Sequence, residues 1–579
     1  MKSRPPRPHP HRNASVFAIG MIAASACLLT SWSPARAQAG SRMAMTKHNL
    51  TSSGTGTVKV AGQTDMCKFC HTPHASNPVG PLWNRQDKGT YYKTYESPTL
   101  VAHVGQPTGS SRLCFSCHDG TIALAQTYNS RNTPQGSLFI SASDKGYIGT
   151  DLSVHHPISF VYDESLANKK GQMRNPASLP RELSLDKDRQ LQCTTCHDPH
   201  DNKFGKFLVM DNSDSRMCQS CHMLDQWPLS AHATSSASLG ASREKWDNLQ
   251  AATVRQAACE ACHRPHSAGG RQWLLRHEAG ADNCLCCHDG SVATTNIRAE
   301  LAKASVHPMW LSAGTQTRKG NLGGAGKHVS CEDCHNPHRA VKGPRARAPF
   351  VQPVMRGVSG VTGSGGALTE ATYEFQVCYK CHSGIGAMHT TMVVDRVISS
   401  YDLGDQFSVN NPSFHPVETV GKNMNVPSLV QPMTITARIY CTDCHGSDSL
   451  MTPGPHGSRN RPLLVSRYDT ADHMPESPLA YALCYNCHLR TSILGNQSFP
   501  RHHLHVVDSR TPCSACHDSH GLSARQVMAA QGAHLINFDS RIVFPSKTAK
   551  KGPFYMSKGM MHGSCTLLCH GEDHVNRPY

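Results

Sequence analysis

Twenty-four cysteines of this chain fall into twelve tight pairs, and a histidine follows every pair at once. No other feature limits the fold so strongly. Eleven pairs read Cys-x-x-Cys-His. They are Cys67/Cys70-His71, Cys114/Cys117-His118, Cys193/Cys196-His197, Cys218/Cys221-His222, Cys259/Cys262-His263 and Cys284/Cys287-His288, then Cys331/Cys334-His335, Cys378/Cys381-His382, Cys441/Cys444-His445, Cys484/Cys487-His488 and Cys513/Cys516-His517. The twelfth is stretched by one residue, Cys565/Cys569-His570.

On one helical turn, residues i, i+3 and i+4 share a face. Two thiols so placed can add to the two vinyl groups of one haem, and the next residue, His, reaches the iron from the same side. The motifs therefore predict twelve covalently held haems c, each iron with a proximal His. A local bulge takes up the extra residue of the last motif. Zinc also suits Cys-x-x-Cys pairs, but each site needs further ligands, and twelve pairs would have to combine without mixing. A disulfide framework does not show this spacing rule. Of the two remaining cysteines, Cys27 lies near the amino terminus; Cys286 reads as a buried bystander, with a chain-linking free thiol as the alternative.

The motifs come in six consecutive pairs, an internal repeat. A His precedes each pair, often as His-Pro: His48, His156, His232, His307, His415, and one of His502, His503 and His505, of which His505 best matches the text around His415. Five first motifs continue as Cys-x-x-Cys-His-x-x-His and add His74, His200, His266, His338 and His520. The fifth pair breaks the pattern at Gly446, and His456 is the expected substitute. Those twelve His are the expected distal ligands. His103, His277, His328, His389, His473, His534, His562 and His574 read as surface residues, although His562 and His574 flank the last motif and are alternatives there. Two imidazoles per iron leave no open coordination site and favour low potentials over those of Met-ligated haem. No Met recurs at a fixed offset from the motifs, so Met reads as filler.

Aromatic residues make up only 6% of the chain, against 45 Gly and 36 Pro, too little for an ordinary core of this length. The expected fold is mainly irregular, with short α-helices at the haem motifs, long loops and little β-structure; the haems form the core, and the protein without them is largely unfolded. The stretches Asn129–Thr150, Asn168–Gln190 and Gly343–Thr369 read as loops or linkers. Residues 1–37 look like a secretory signal: a basic start (Lys2, Arg4, Arg7, Arg12), an apolar run from Ala14 to Trp32, and a cleavage text Ala35-Arg36-Ala37. A retained anchor and a lipidated Cys27 are the alternatives. No later run reaches the ~18 apolar residues of a membrane span. Six dihaem modules follow the signal, at 38–127, 128–228, 229–296, 297–390, 391–497 and 498–579. The net charge of +16 does not argue for nucleic acid, because the signal carries five of those charges and haem propionates offset the rest.

The repeated text, His156-Pro157 followed by Cys193-Thr194-Thr195-Cys196-His197-Asp198-Pro199-His200, resembles the doubled Cys-x-x-Cys-His family of multihaem cytochromes over nearly all of the chain after the signal. The resemblance implies an electron conduit like those of metal-reducing bacteria. Some of these sit in an outer-membrane porin; others are periplasmic, surface-bound or polymerised. Expected partners are other cytochromes, a porin or further copies of the chain. A multihaem reductase is the rival reading. It needs an iron with an open face, whereas the histidine count fills every site and no Cys-x-x-Cys-Lys occurs.

Overall fold

The computed structural model describes residues 43–129, 138–242, 244, 246, 249, 251–278, 280–309, 329–384 and 393–579. The signal, Cys27, His328, His389 and part of the Asn129–Thr150 stretch lie outside them. Short helical turns and loops make up most of the chain, as the composition requires.

The two motifs of a pair fold differently. First motifs sit on a single tight turn: Cys67–Phe69, Cys193–Cys196, Ala258–Ala261, Cys331–Asp333, Cys441–Asp443 and Cys513–Ala515. The motif's third residue can cap that turn. The side chains of Thr195, Asp333 and Asp443 accept the N–H of the residue preceding the first Cys, at 2.8–3.0 Å, in the manner of a capping box. Second motifs end helices, at Gly109–His118, Arg216–Cys221, Gly280–Leu285, Glu374–His382 and Ala482–Tyr485. In both kinds the His N–H closes onto the carbonyl of the first Cys, as at His71, His197, His222 and His288 (2.8–3.0 Å).

After each first motif the chain doubles back. An antiparallel bridge joins the motif His to a later apolar residue: His71 to Trp83, His197 to Leu208, His263 to Leu275, His445 to Leu464 and His517 to Ile536. One residue further on, an N–H bonds the carbonyl of the second Cys, from Asn84 to Cys70 and likewise from Val209, Arg276, Val465 and Asn537 (2.8–3.1 Å). Every first motif but Cys331/Cys334 is thus clamped by its own downstream strand.

Buried apolar residues form small separate clusters rather than one core. Phe375, Tyr379, Phe407, Phe414 and Val417 make one; Phe160, Tyr162, Ala167 and Leu191 make another. Both lie beside motif helices or turns. Among the described residues no helix is long and apolar enough to cross a membrane.

The last motif departs from the expected helix. Gly563–Cys569 is a strand, paired antiparallel with Phe554–Ser557, Glu572–Pro578 and Val543–Phe544. Ser564, Thr566 and Leu567 are buried, and alternation puts Cys565, Leu567 and Cys569 on one face. A four-residue step in a strand spans ~13 Å between Cα atoms, against one turn in a helix. The extra residue is therefore absorbed by extension, not by a bulge within a helix.

Candidate haem-binding sites

The proximal His of eleven motifs each lie opposite another imidazole. Ring centroids are 6.0–6.4 Å apart in nine couples: His71 with His200, His118 with His48, His197 with His266, His222 with His156, His263 with His338, His288 with His232, His335 with His456, His445 with His520, and His517 with His502. His307 lies beside His382 and His415 beside His488, near enough for one ring's charge to disfavour charge on the other.

That spacing is the fit test for a bis-imidazole iron. Two metal–nitrogen bonds of ~2 Å each, plus the distance from each nitrogen to its ring centre, sum to about 6 Å. Direct ring packing would bring the centroids closer, as in the 4.5 Å stack of His473 on His570.

The couples follow an order that the sequence does not declare. Each His preceding a motif pair faces the second motif of its own pair: His48, His156, His232, His307 and His415 face His118, His222, His288, His382 and His488. Each His of a Cys-x-x-Cys-His-x-x-His turn, or its substitute His456, faces the first motif of the pair before it. His200, His266, His338, His456 and His520 thus reach back to His71, His197, His263, His335 and His445. The same seam carries a second tie. The residue before each of these turn His accepts a hydrogen bond from the preceding pair's leading His. His48, His232 and His415 donate ring N–H to Pro199, Pro337 and Ser519 (2.6–3.0 Å), His156 donates its backbone N–H to Pro265 (2.8 Å), and Pro455 accepts from His307.

Tautomer is set as a metal ligand requires. The Nδ1 atoms of His118, His197, His263, His335, His445 and His517 lie 2.6–3.3 Å from the carbonyls of Gly146, Lys206, Trp273, Val354, Pro462 and His534. A carbonyl only accepts, so Nδ1 carries the proton and the Nε2 lone pair is free. Lys206, Trp273 and His534 themselves have φ of 51–59°, the sparsely populated left-handed region for such side chains. Burial holds many of the rings neutral. It lowers His222, His288, His456, His488, His502, His517 and His520 to about 4 and His266 to about 3, and neutral imidazole is the binding form.

The thiols also connect. No described cysteine is in a disulfide. Across seams, the first Cys of a second motif hydrogen-bonds the first Cys of the next pair: Cys114 with Cys193, Cys218 with Cys259, Cys284 with Cys331, Cys378 with Cys441, and Cys484 with Cys513. Within pairs, the second cysteines adjoin. Burial first, and then the neighbouring thiols, raise Cys70, Cys196, Cys334, Cys444 and Cys516 to about 12.

Among the expected attachment points, Cys381 departs from this rule. It is part-buried near the end of the helix Glu374–His382. The thiol of Cys378, one turn earlier on that helix, acts more strongly on Cys334 than the thiol of Cys381 does. In the fourth pair continuity therefore runs through Cys378, which meets both Cys334 and Cys441, and Cys381 adds the weaker contact. Attachment points thus succeed one another without a break from Cys67 to Cys569. Cys286 is part-buried and directs its thiol at the Asn283 carbonyl, 3.4 Å away; a hydrogen bond with Cys287 and burial hold its pKa far above the thiol range, which makes it a poor nucleophile.

Two sequence expectations fall elsewhere. His505 packs on Phe499 with its Nδ1 on the Arg501 carbonyl (2.7 Å), while His502 faces His517. His74 faces no proximal His among the described residues. At the last motif, His570 Nε2 contacts both carboxylate oxygens of Asp472 at 2.9–3.0 Å, and Asp472, His473 and His570 cluster their ligand atoms within 4.8 Å. His473 is exposed, as the sequence reading has it, and stacks on His570, while the half-buried His534 supplies the carbonyl to His517.

Sequence reasoning missed two buried arginines. Arg85, fully buried, donates to the carbonyls of Leu124, Ser116 and Ala123 at 2.7–3.0 Å. Arg396 does the same for Ser514, Asn537 and His517 at 2.6–2.7 Å. Each lies outside the motif it braces, so the motif text gives no sign of it.

Residues 187–226 and 252–293 match the doubled CXXCH motif family. Comparison with curated proteins gives no match. The two matched segments cover four of the motifs whose His face second imidazoles, and together with that geometry they support a c-type multihaem cytochrome, binding haem c and iron for electron transfer.

Proposed function

We propose that the chain is an electron carrier holding twelve haems c in series, with no bond-making on substrate. The observation that carries this reading is the succession of facing imidazoles over the first eleven motifs, with adjoining thiols. Haem c supplies reversible one-electron chemistry when bound. The protein's residues do the rest. Cysteine pairs fix each group covalently, carbonyls at Nδ1 hold the imidazoles in one tautomer, and burial keeps those rings neutral. Eleven proximal His are matched by a second imidazole, which leaves no face for substrate at those eleven sites and argues against a reductase there.

The ligand order of the first five pairs extends to the sixth. There the leading His505 falls to the second motif, Cys565/Cys569-His570, and His502, which faces His517, serves the first. Loading that site requires His570 to leave Asp472. The six dihaem modules are then units of sequence, while the first-motif iron of each of the first five is completed by the next module. The basic start, apolar run and Ala35-Arg36-Ala37 support export to the periplasm, the outer membrane or the cell exterior, with other cytochromes or a porin as partners.

Intact mass of the purified protein, with a redox titration followed by visible and EPR spectroscopy, tests this. The expected result is the mass of the chain from residue 38 plus twelve porphyrins, all low-spin ferric. A mass short by one porphyrin would leave the last motif unloaded; a mass lacking most of them would end the reading. A large high-spin signal would favour the reductase.

A further inference from the structure

We propose that Lys303 is a positioning residue for the fourth pair: its ammonium holds the loop that delivers His456 to the iron at Cys331/Cys334. The inference rests on the reading of facing imidazoles as iron ligands.

The other four back-reaching rings are His200, His266, His338 and His520. Each follows its own motif His by three positions, so the tight turn itself aims the ring. After His445 the distance is eleven positions, and Gly446 stands where that turn would begin. A longer loop costs more entropy to hold in one conformation. Yet His456 faces His335 at 6.1 Å with the rings 16° from parallel, the same spacing as His338 and His263. The restraint has to come from outside the loop.

Residues 300–306, which follow the third pair, supply it. Lys303 Nζ donates to Asp448 Oδ1, within the loop, and to Glu300 Oε2, both at 2.5 Å, and lies 3.4 Å from Ser447 Oγ. The Ser447 hydroxyl donates to the same Glu300 oxygen at 2.5 Å. The side chains of Lys303, Asp448 and Glu300 are only 14%, 13% and 6% exposed. Two carboxylates thus share one ammonium largely out of water. Without it they repel each other where the dielectric is low, and an uncompensated buried charge is left behind. Arg459 also approaches Asp448, at 3.8 Å, but it is 83% exposed and water screens it.

The far end of the loop is fastened by backbone. Ser305–Val306 pairs antiparallel with Gly457–Ser458, and the Leu463 N–H donates to Ser305 Oγ at 2.7 Å. A Cβ on Gly457 would stand 1.8 Å from the Glu300 carbonyl oxygen, so only glycine permits this approach. His456 is therefore held from both sides by one short segment: through Asp448 before it and through Gly457 after it.

EPR spectra of the ferric, haem-loaded protein test this. Lys303→Met should turn one iron from low-spin to high-spin and leave the others unchanged, and added imidazole should return that iron to low-spin. In a His456→Ala background, where the same iron is already high-spin, Lys303→Met should add no second signal. Gly457→Ala keeps all three charges and should open the same iron by displacing the loop; it decides the matter if Lys303→Met does not fold. A Lys303→Met protein that is fully low-spin overturns the positioning role alone. So does a high-spin signal that imidazole leaves in place, a second high-spin iron in the His456→Ala background, or, where Lys303→Met fails to fold, a fully low-spin Gly457→Ala protein. A His456→Ala protein that stays low-spin at every iron overturns the ligand reading at this site, and the positioning role with it.

Discussion

In the carrier proposed above, single side chains decide the spin state of single irons. His502, not His505, lies across from His517. His502→Ala should turn one iron of the set high-spin at the Cys513/Cys516 site, while His505→Ala should leave that site low-spin, as read by EPR of variants that also lack Cys565 and Cys569. Sequence matching favoured His505 because its neighbours copy those of His415. That likeness concerns the second motif of a pair, whereas His502 is the ring that faces the first. Arg85 makes a different residue-scale claim. It is sealed from solvent and satisfies three carbonyls around the first pair of motifs. Removing a partner leaves each buried group at a cost of roughly 1–3 kcal/mol, so Arg85→Met should lower stability by about 3 kcal/mol in denaturant titrations of the loaded protein. The charge itself is invisible to motif reading, since Arg85 stands 29 positions before Cys114, the start of the motif it braces.

At the scale of the element, the turn carrying each distal His belongs structurally to the pair before it. His338 stands three residues after His335, yet its ring faces His263 at 6.1 Å. His338→Ala should therefore produce one high-spin iron, and that signal should disappear when Cys259 and Cys262 are also replaced by Ala. If His338 served its own motif the signal would survive the double replacement. The twelve motifs, their repeat and the pool of candidate His were all legible in the sequence, because each is a short-range pattern of residues. Which His faces which motif was not legible, because it is set by seams spanning up to about 130 residues of chain, such as His71 with His200. The strand at Gly563–Cys569 was misjudged for a related reason. A Cys-x-x-x-Cys-His text resembles its neighbours, but Leu567 joins the buried cluster of Tyr555, on the partner strand, only when the segment is extended.

For the whole molecule, small clusters of three to six buried side chains must share the work with iron and thioether bonds. The protein made without haem should show little helix by circular dichroism and no cooperative thermal transition, and should gain both on loading. A cooperative transition in the haem-free chain would show that the scattered clusters suffice. The composition made this much foreseeable: few aromatics and much Gly and Pro exclude an aliphatic core. The linear succession of cysteine contacts was not foreseeable, because adjacent motifs in the text need not touch in space.

Ribosomes build this polypeptide from its amino end, and each back-reaching imidazole lies downstream of the motif it faces. No such motif can meet its facing ring until the next stretch of chain has been made. Folding from the amino end therefore runs one seam behind synthesis, and the same delay recurs at each successive repeat.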